Sequence, residues 1–394
     1  MQQIGSIKGI STFTENFSGV EIRYYSKPGL PDWDCVSPSQ RLIVENITLE
    51  PGSSTLMLGN GNGVEILTLA VRFPKAQITI SNNNGIALEL LNKSINENAI
   101  HNLAISMELS HYPEKVETFD NVIIDLPKGR KLSRRWLLEA YLILKPNGVL
   151  FLSGANDQGI QSVTHDGTDL FFHHSVFALK QGNRLLRFRE KKPQTAQVSW
   201  SYTPGILPGT WMEFNTTIRG HPYHFKTLPG VFASERLDPG TAFLLEHLEF
   251  KEQGRILDFG CGCGIVGAVI AKNSRAWVDM TDIDRYAIAA ATENIKELRL
   301  ANCKVFFSDG LEGVMDRVYD QIVTNPPFHS GKAIDYSMTH SLITRSFSVL
   351  TGGGELCLVA NKFIRYDKIL KNYFSEFNAL VSNQQFTIWK ARKP

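Results

Sequence analysis

The sequence predicts two α/β domains in tandem, each a mostly parallel sheet with helices on both faces. Three observations carry this. Short apolar runs alternate with segments of helical period through both halves. One of those runs, Ile256-Leu-Asp-Phe-Gly-Cys-Gly-Cys-Gly264, reads as a buried strand entering a glycine turn and then a helix. The second half also lies over the first at a nearly constant offset. Gly59, Gly61 and Gly63 precede Gly260, Gly262 and Gly264 by 201 positions (260 − 59 = 201).

The offset recurs at Pro28-Gly29 under Pro229-Gly230, at Ser37-Pro38 under Asp238-Pro239, and at Lys192-Pro193 under Lys393-Pro394. One residue less places Asp120-Asn-Val-Ile-Ile-Asp-Leu-Pro-Lys128 under Asp320-Gln-Ile-Val-Thr-Asn-Pro-Pro-Phe328. Chance does not keep such order over a whole chain, so one domain has been duplicated. The expected boundaries are 1–192 for the first copy, 193–210 for a Pro/Gly-rich linker and 211–394 for the second copy.

In the second copy, strands are expected at Arg255–Phe259, Trp277–Thr281, Lys304–Phe307, Gln321–Thr324, Glu355–Ala360 and Gln385–Lys390. A helix begins at Asp238, with Pro239 at its first position and Phe243, Leu244, Leu245 and Leu248 on the buried stripe. Another spans 284–298, capped by Asp284, with Ile288, Ala291, Ile295 and Leu298 at helical spacing.

The chain has 394 residues, 43% apolar and 20% charged, as in soluble globular proteins. Its net charge is +2 and both halves are balanced, so bulk charge announces no nucleic-acid partner. Five cysteines, an odd number, lack a second Cys/His pair at ligand spacing, so Cys261 and Cys263 read as packing residues and no metal is expected. The start lacks a signal-peptide pattern and no long apolar run occurs, so a cytoplasmic location without membrane contact is expected.

The copies are not chemically equal. Asp258 becomes Met57, Asp282 becomes Asn82, and Asn325-Pro-Pro-Phe328 becomes Asp125-Leu-Pro-Lys128. The glycines and apolar strands survive in the first copy while the polar groups are gone. It reads as a retired version of the second.

In the second copy, Gly260, Gly262 and Gly264 let backbone approach a nucleotide-like ligand, and Asp258 closes the strand before them. Asp282, at the end of the next strand, suits ribose hydroxyls, and Asp309 after the third strand suits an adenine amine. Each has a plainer alternative, a helix cap for Asp282 and a turn acid for Asp309. Asn325 and the Pro326 carbonyl offer two acceptors for the hydrogens of an exocyclic amine, favouring a pyramidal nitrogen. The paired prolines stiffen that loop, and Phe328 offers a face for a base. Asn361 lies where a target base would approach. The plainer reading of the loop is a proline turn with a core phenylalanine.

A strand ending in Asn-Pro-Pro-Phe behind an acid-x-Gly-x-Gly-x-Gly loop resembles the methyltransferases that act on amino groups. With Thr227-Leu-Pro-Gly-Val-Phe232, Leu237-Asp238, Gly353-Gly-Glu-Leu356 and Val359-Ala-Asn361, the chain resembles the bacterial ribosomal RNA (guanine-N2)-methyltransferases. The likeness is close over the second half and only of layout over the first. It implies tandem Rossmann-like class I methyltransferase domains with a degenerate N-terminal copy, S-adenosylmethionine as cofactor, and methyl transfer to the 2-amino group of a guanine. It also implies ribosomal RNA or a ribosomal subunit as partner. Thr227–Phe232 with Asp238 leans towards the small-subunit branch, and the length towards the large-subunit branch. Adenine-amino and protein glutamine methyltransferases carry similar loops, and an inactive ribosome-binding assembly factor is the non-enzymatic alternative.

Two basic clusters fall in the first copy. One is Lys128, Arg130, Lys131, Arg134 and Arg135; the other is Arg184, Arg187, Arg189, Lys191 and Lys192. On a domain without a site they suggest a grip on RNA backbone. A monomer is expected.

Overall fold

In the computed structural model, residues 9–193, 198–326 and 337–394 are described, the side chains of 337–339 excepted. They form two compact units, Gly9–Trp211 and Met212–Pro394.

The first unit opens with the hairpin β1 (Ser11–Phe17) and β2 (Val20–Ser26). There follow α1 (Pro38–Asn46), β3 (Ser54–Gly59), α2 (Val64–Arg72), β4 (Gln77–Asn82), α3 (Gly85–Glu97), β5 (Leu103–Ile105) and β6 (Phe119–Asp125). It ends with α4 (Arg130–Ile143), β7 (Leu144–Ala155), α5 (Ile160–Leu170), β8 (Phe171–Lys180) and β9 (Asn183–Lys191).

The second unit repeats the order. Hairpin β10 (Met212–Ile218) and β11 (His221–Thr227) leads to α6 (Pro239–His247), β12 (Arg255–Phe259), α7 (Ile265–Asn273) and β13 (Trp277–Asp282). Then come α8 (Arg285–Glu297), β14 (Cys303–Phe307), β15 (Tyr319–Thr324), α9 (Ser337–Val349), β16 (Leu350–Asn361), α10 (Asp367–Leu370), β17 (Glu376–Ser382) and β18 (Phe386–Arg392).

Each unit has a seven-stranded sheet, ordered β5-β4-β3-β6-β7-β9-β8 and β14-β13-β12-β15-β16-β18-β17. The first five strands in each order run parallel and the last two join antiparallel. From β12 the chain steps outward to β13 and β14, then crosses back to β15 on the other side of β12. The C-terminal ends of those strands therefore open the crevice where ligands bind in such sheets. Leu257, Ile322, Leu356 and Leu358 fill the interior beneath that edge together with Tyr319, Tyr366 and Phe374. Among the described residues no helix is long and apolar enough to cross a membrane.

Local chemistry sets the helix starts. Asp238 accepts from Thr241 N at 2.8 Å, and Pro239 occupies the first turn, where no N–H is needed. Asp284 accepts from Tyr286 N and Ala287 N at 2.7 and 2.9 Å to cap α8, as its counterpart Asn84 caps α3.

The stretch expected as a linker instead packs on the first unit. Trp200 is buried and its indole donates to Asp169 at 2.9 Å. Arg135, only 3% exposed, donates to the carbonyls of Gly205, Leu207 and Thr210. Proline and glycine marked irregular backbone there, and a buried guanidinium supplies the partners that such backbone needs.

Candidate active site

The second copy builds a site at the crevice edge. Buried Asp258, in β12, accepts from Gly267 N in the first turn of α7 at 2.7 Å. Burial pushes its pKa up to about 7. This carboxyl group fastens strand to helix and so fixes the loop between them.

That loop is held from both sides. Gly262 N donates to Asp282 Oδ2 at 2.9 Å, while Asp282 Oδ1 accepts from Ile283 N and Asp284 N. Burial raises the Asp282 pKa, opposed by these amide bonds. Asp279, the other acid of the strand, is fully buried and satisfied by Tyr319 and Arg317 at 2.8 and 3.1 Å. Of the two, Asp282 is the one at the C-terminal end of β13, bonded to the glycine loop. Gly260, Gly262 and Gly264 all take left-handed φ, +67°, +55° and +83°. A Cβ at Gly260 or Gly262 would meet nothing within 4 Å, whereas at Gly264 it would sit 2.9 Å from Ala291. Two glycines border open space and the third lets helix approach helix. An open cradle ending at an acid fits an adenosyl group. Asp309 is buried beyond β14, and Ser308 N bonds to Asp282 O at 3.1 Å, bringing the two acid-bearing loops together.

Asn325 lies at the same edge because Thr324 Oγ1 donates to Phe259 O at 2.8 Å, tying the end of β15 to that of β12. The Asn325 amide nitrogen donates to Asp238 Oδ2 at 2.9 Å and to Thr241 Oγ1 at 2.8 Å. With both N–H bonds committed, the amide orientation is set and its oxygen is the group that can accept. The sequence had shown Asp238 as a helix start and as part of the family resemblance, but not as a partner of Asn325, and Thr241 not at all. Pro326 is buried beside Asn325. Pro327, Phe328 and His329 lie outside the described residues.

The first copy shows what retirement means physically. Asn82 donates to Gly61 O at 3.1 Å where Asp282 accepts from Gly262 N, so the hydrogen-bond polarity is reversed. Of its three glycines only Gly63 has positive φ. Gln40, the counterpart of Thr241, reaches into the loop and bonds to Asn62 at 3.0 Å and Glu65 at 2.7 Å. A Cβ at Gly61 would lie 3.2 Å from the Gln40 amide. The cradle is filled by its own side chains. An acid in the otherwise apolar run Val64-Glu-Ile-Leu67 was the available signal.

The basic clusters require correction. Arg135 is buried on the 205–210 carbonyls and cannot grip RNA. Arg130 and Arg134 each make two bonds to Asp166, itself 1% exposed, at 2.8 to 3.1 Å. Arg134 also lies over the Trp200 ring. Their charge is largely spent on joining α4 to α5, whose Asp166 would otherwise be an unpaired buried carboxylate. Lys191 and Lys192 donate to the carbonyls of Leu144 and Thr168 at 2.8 and 2.6 Å. Lys128 and Arg189 are exposed, Lys131 is half-buried, and Asn361 is half-buried at the end of β16.

Fold and site together define a Rossmann-like methyltransferase with one open cofactor cradle. Residues 21–186 and 222–390 each match the methyltransferase small domain family. The ribosomal RNA small subunit methyltransferase C of Aliivibrio fischeri is 38% identical, covering 70% of this chain and 78% of its own. That of Pseudomonas paraeruginosa is 31% identical, covering 71% and 81%. A T. thermophilus 16S rRNA N2 G1207 methyltransferase, solved with AdoMet and guanosine, shares the fold across 98% of both chains, with TM-score 0.82 and 24% identity. The chain belongs to the ribosomal RNA small subunit methyltransferase C family.

Proposed function

We infer that the chain transfers a methyl group from S-adenosylmethionine to the 2-amino group of a guanine in small-subunit ribosomal RNA. The observation that carries this is the fixed Asn325 amide beside the glycine cradle, in a chain of this family. Asp282 and Asp309 would hold the ribose and adenine, with Gly260 and Gly262 beneath the methionyl part. The bound cofactor supplies an activated methyl group, so no strong general base is required. Asn325 Oδ1 and the Pro326 carbonyl bind the amine hydrogens, and Phe328 stacks the base. Alignment for in-line displacement is then the main contribution, worth up to roughly 7–11 kcal/mol.

The first copy serves as a structural partner domain, with Lys128 and Lys131 its remaining RNA contacts from the first cluster. The protein works as a cytoplasmic monomer on ribosomal RNA or the assembling subunit. Mapping 2-methylguanosine in 16S rRNA from cells with and without the gene tests the central reading. No lost modification in the deletion strain would refute it.

A further inference from the structure

Beside the catalytic loop lies a cavity of about 520 Å³ lined by Asn361, Lys362, Phe363, Gln384, Gln385 and Phe386. Its walls are the end of β16 and the turn joining β17 to β18. They are held in register by Lys362 N to Gln385 O at 2.8 Å, and the turn is braced by Asn383 Oδ1, which accepts from Gln385 N and Phe386 N at 2.8 and 2.7 Å. The cavity is therefore preformed.

Its lining has an uncommon composition for an exposed turn. Phe363 is 64% exposed. The side-chain amides of Asn361, Gln384 and Gln385 and the Lys362 ammonium have no partner among the described residues. An open aromatic face, several unengaged amides and one cation together match what an unstacked nucleobase and its phosphate require.

The cavity adjoins the reacting centre without being part of it. A Cβ at Gly240 would sit 3.3 Å from the Phe386 ring and 3.5 Å from the Asn325 amide nitrogen, so both border one small residue of α6.

We propose that this cavity is a second nucleobase subsite, which holds a nucleotide flanking the target guanine. Phe363 stacks that base, Gln384 and Gln385 read its edge, and Lys362 meets its phosphate. The assignment rests on the reading of the protein as an rRNA methyltransferase and names the next contact along the same strand. It explains how the enzyme selects one guanine: the target amine is common to all guanines, whereas a neighbour's edge is not.

The test uses the full chain, labelled S-adenosylmethionine and an RNA oligonucleotide carrying the guanine mapped above, alongside free guanosine, which has no flanking base. Phe363→Ala should raise KM for the oligonucleotide by about 5- to 100-fold, as expected for a lost base–aromatic stack. Guanosine binding and cofactor affinity should stay as in the wild type, and Phe363→Tyr should restore KM. Gln385→Ala, at an exposed turn, should relax the discrimination among the four bases at the flanking position. An unchanged oligonucleotide KM in a folded Phe363→Ala protein would overturn the subsite, as would equal weakening of guanosine, which would make it the target pocket. If the wild type itself methylates no rRNA, the functional reading fails instead.

Discussion

Replacing Asp238 by Ser separates two jobs that one carboxylate performs. Asp238 Oδ2 caps α6 through Thr241 N at 2.8 Å and holds the Asn325 amide at 2.9 Å. Serine is about as good an N-cap as aspartate, so stability should change by no more than about 0.5 kcal/mol. Its shorter side chain does not reach Asn325. A hydrogen bond to a charged group contributes ~1.5–3 kcal/mol, and the remaining bond to Thr241 Oγ1, at 2.8 Å, keeps part of the orientation. A net loss of about 1–2 kcal/mol in alignment corresponds to a roughly 5- to 30-fold fall in kcat. Single-turnover methyl transfer into 16S rRNA from a deletion strain, at saturating cofactor, reads this directly. A lower melting temperature with unchanged kcat would show that Asp238 is only a cap. A parallel loss of cofactor affinity would show that it acts on the cradle and not on the amine.

Asn325→Ala should lower kcat by about 10²–10³, as for loss of one preorganised polar group at a reacting centre, with cofactor affinity unchanged by calorimetry. Calorimetry on the full chain should find one S-adenosylmethionine per chain, abolished by Asp282→Ala, and two sites would contradict a filled first cradle. Glu65 is 1% exposed, and burial followed by repulsion from Asp125 pushes its pKa up to about 8. The folded state then keeps a proton that the unfolded state has released, so stability falls as pH rises from about 4.5 to 8, by at most ~1.4 kcal/mol per unit. Glu65→Gln should flatten the upper part of that window in denaturant titrations, while Asp125, raised to about 6, keeps a slope below it. Arg135→Ala should destabilise the first unit by about 1–3 kcal/mol by leaving buried carbonyls unpartnered, and should leave the salt dependence of RNA binding unchanged.

Much of the architecture was legible because its signals are local. The strands Arg255–Phe259 and Gln321–Thr324, the cap at Asp284 and Pro239 at a helix start all follow from short patterns. Hairpin β10–β11 was not anticipated, since Pro222 argues against a strand and only an edge position tolerates it. Strand β17 also escaped notice, because its exposed edge gives no clean alternation. Asn325 could be singled out from its loop, but not what orients it: Asp238 is 87 residues away in sequence and joins it only when β15 and α6 meet. The basic run at Arg130–Arg135 misled for the same reason. Its neutralising acid, Asp166, and the carbonyls that Arg135 serves come from distant segments.

The duplication shows why retained glycines are a poor guide to retained chemistry. A Cβ at Gly63 would meet Leu91 at 2.8 Å, as one at Gly264 would meet Ala291 at 2.9 Å. Both third glycines therefore survive for helix packing, whatever the loop binds. The first two border open space in the second copy, and only there do they take left-handed φ. The difference traces to one exchange of acid for amide. Asp282 can only accept when ionised and so turns the Gly262 N–H towards itself, whereas Asn82 donates to the Gly61 carbonyl instead. Once that peptide is turned, nothing selects for an empty cradle. Gln40, Asn62 and Glu65 then stabilise the first domain by occupying the space that the second must keep open.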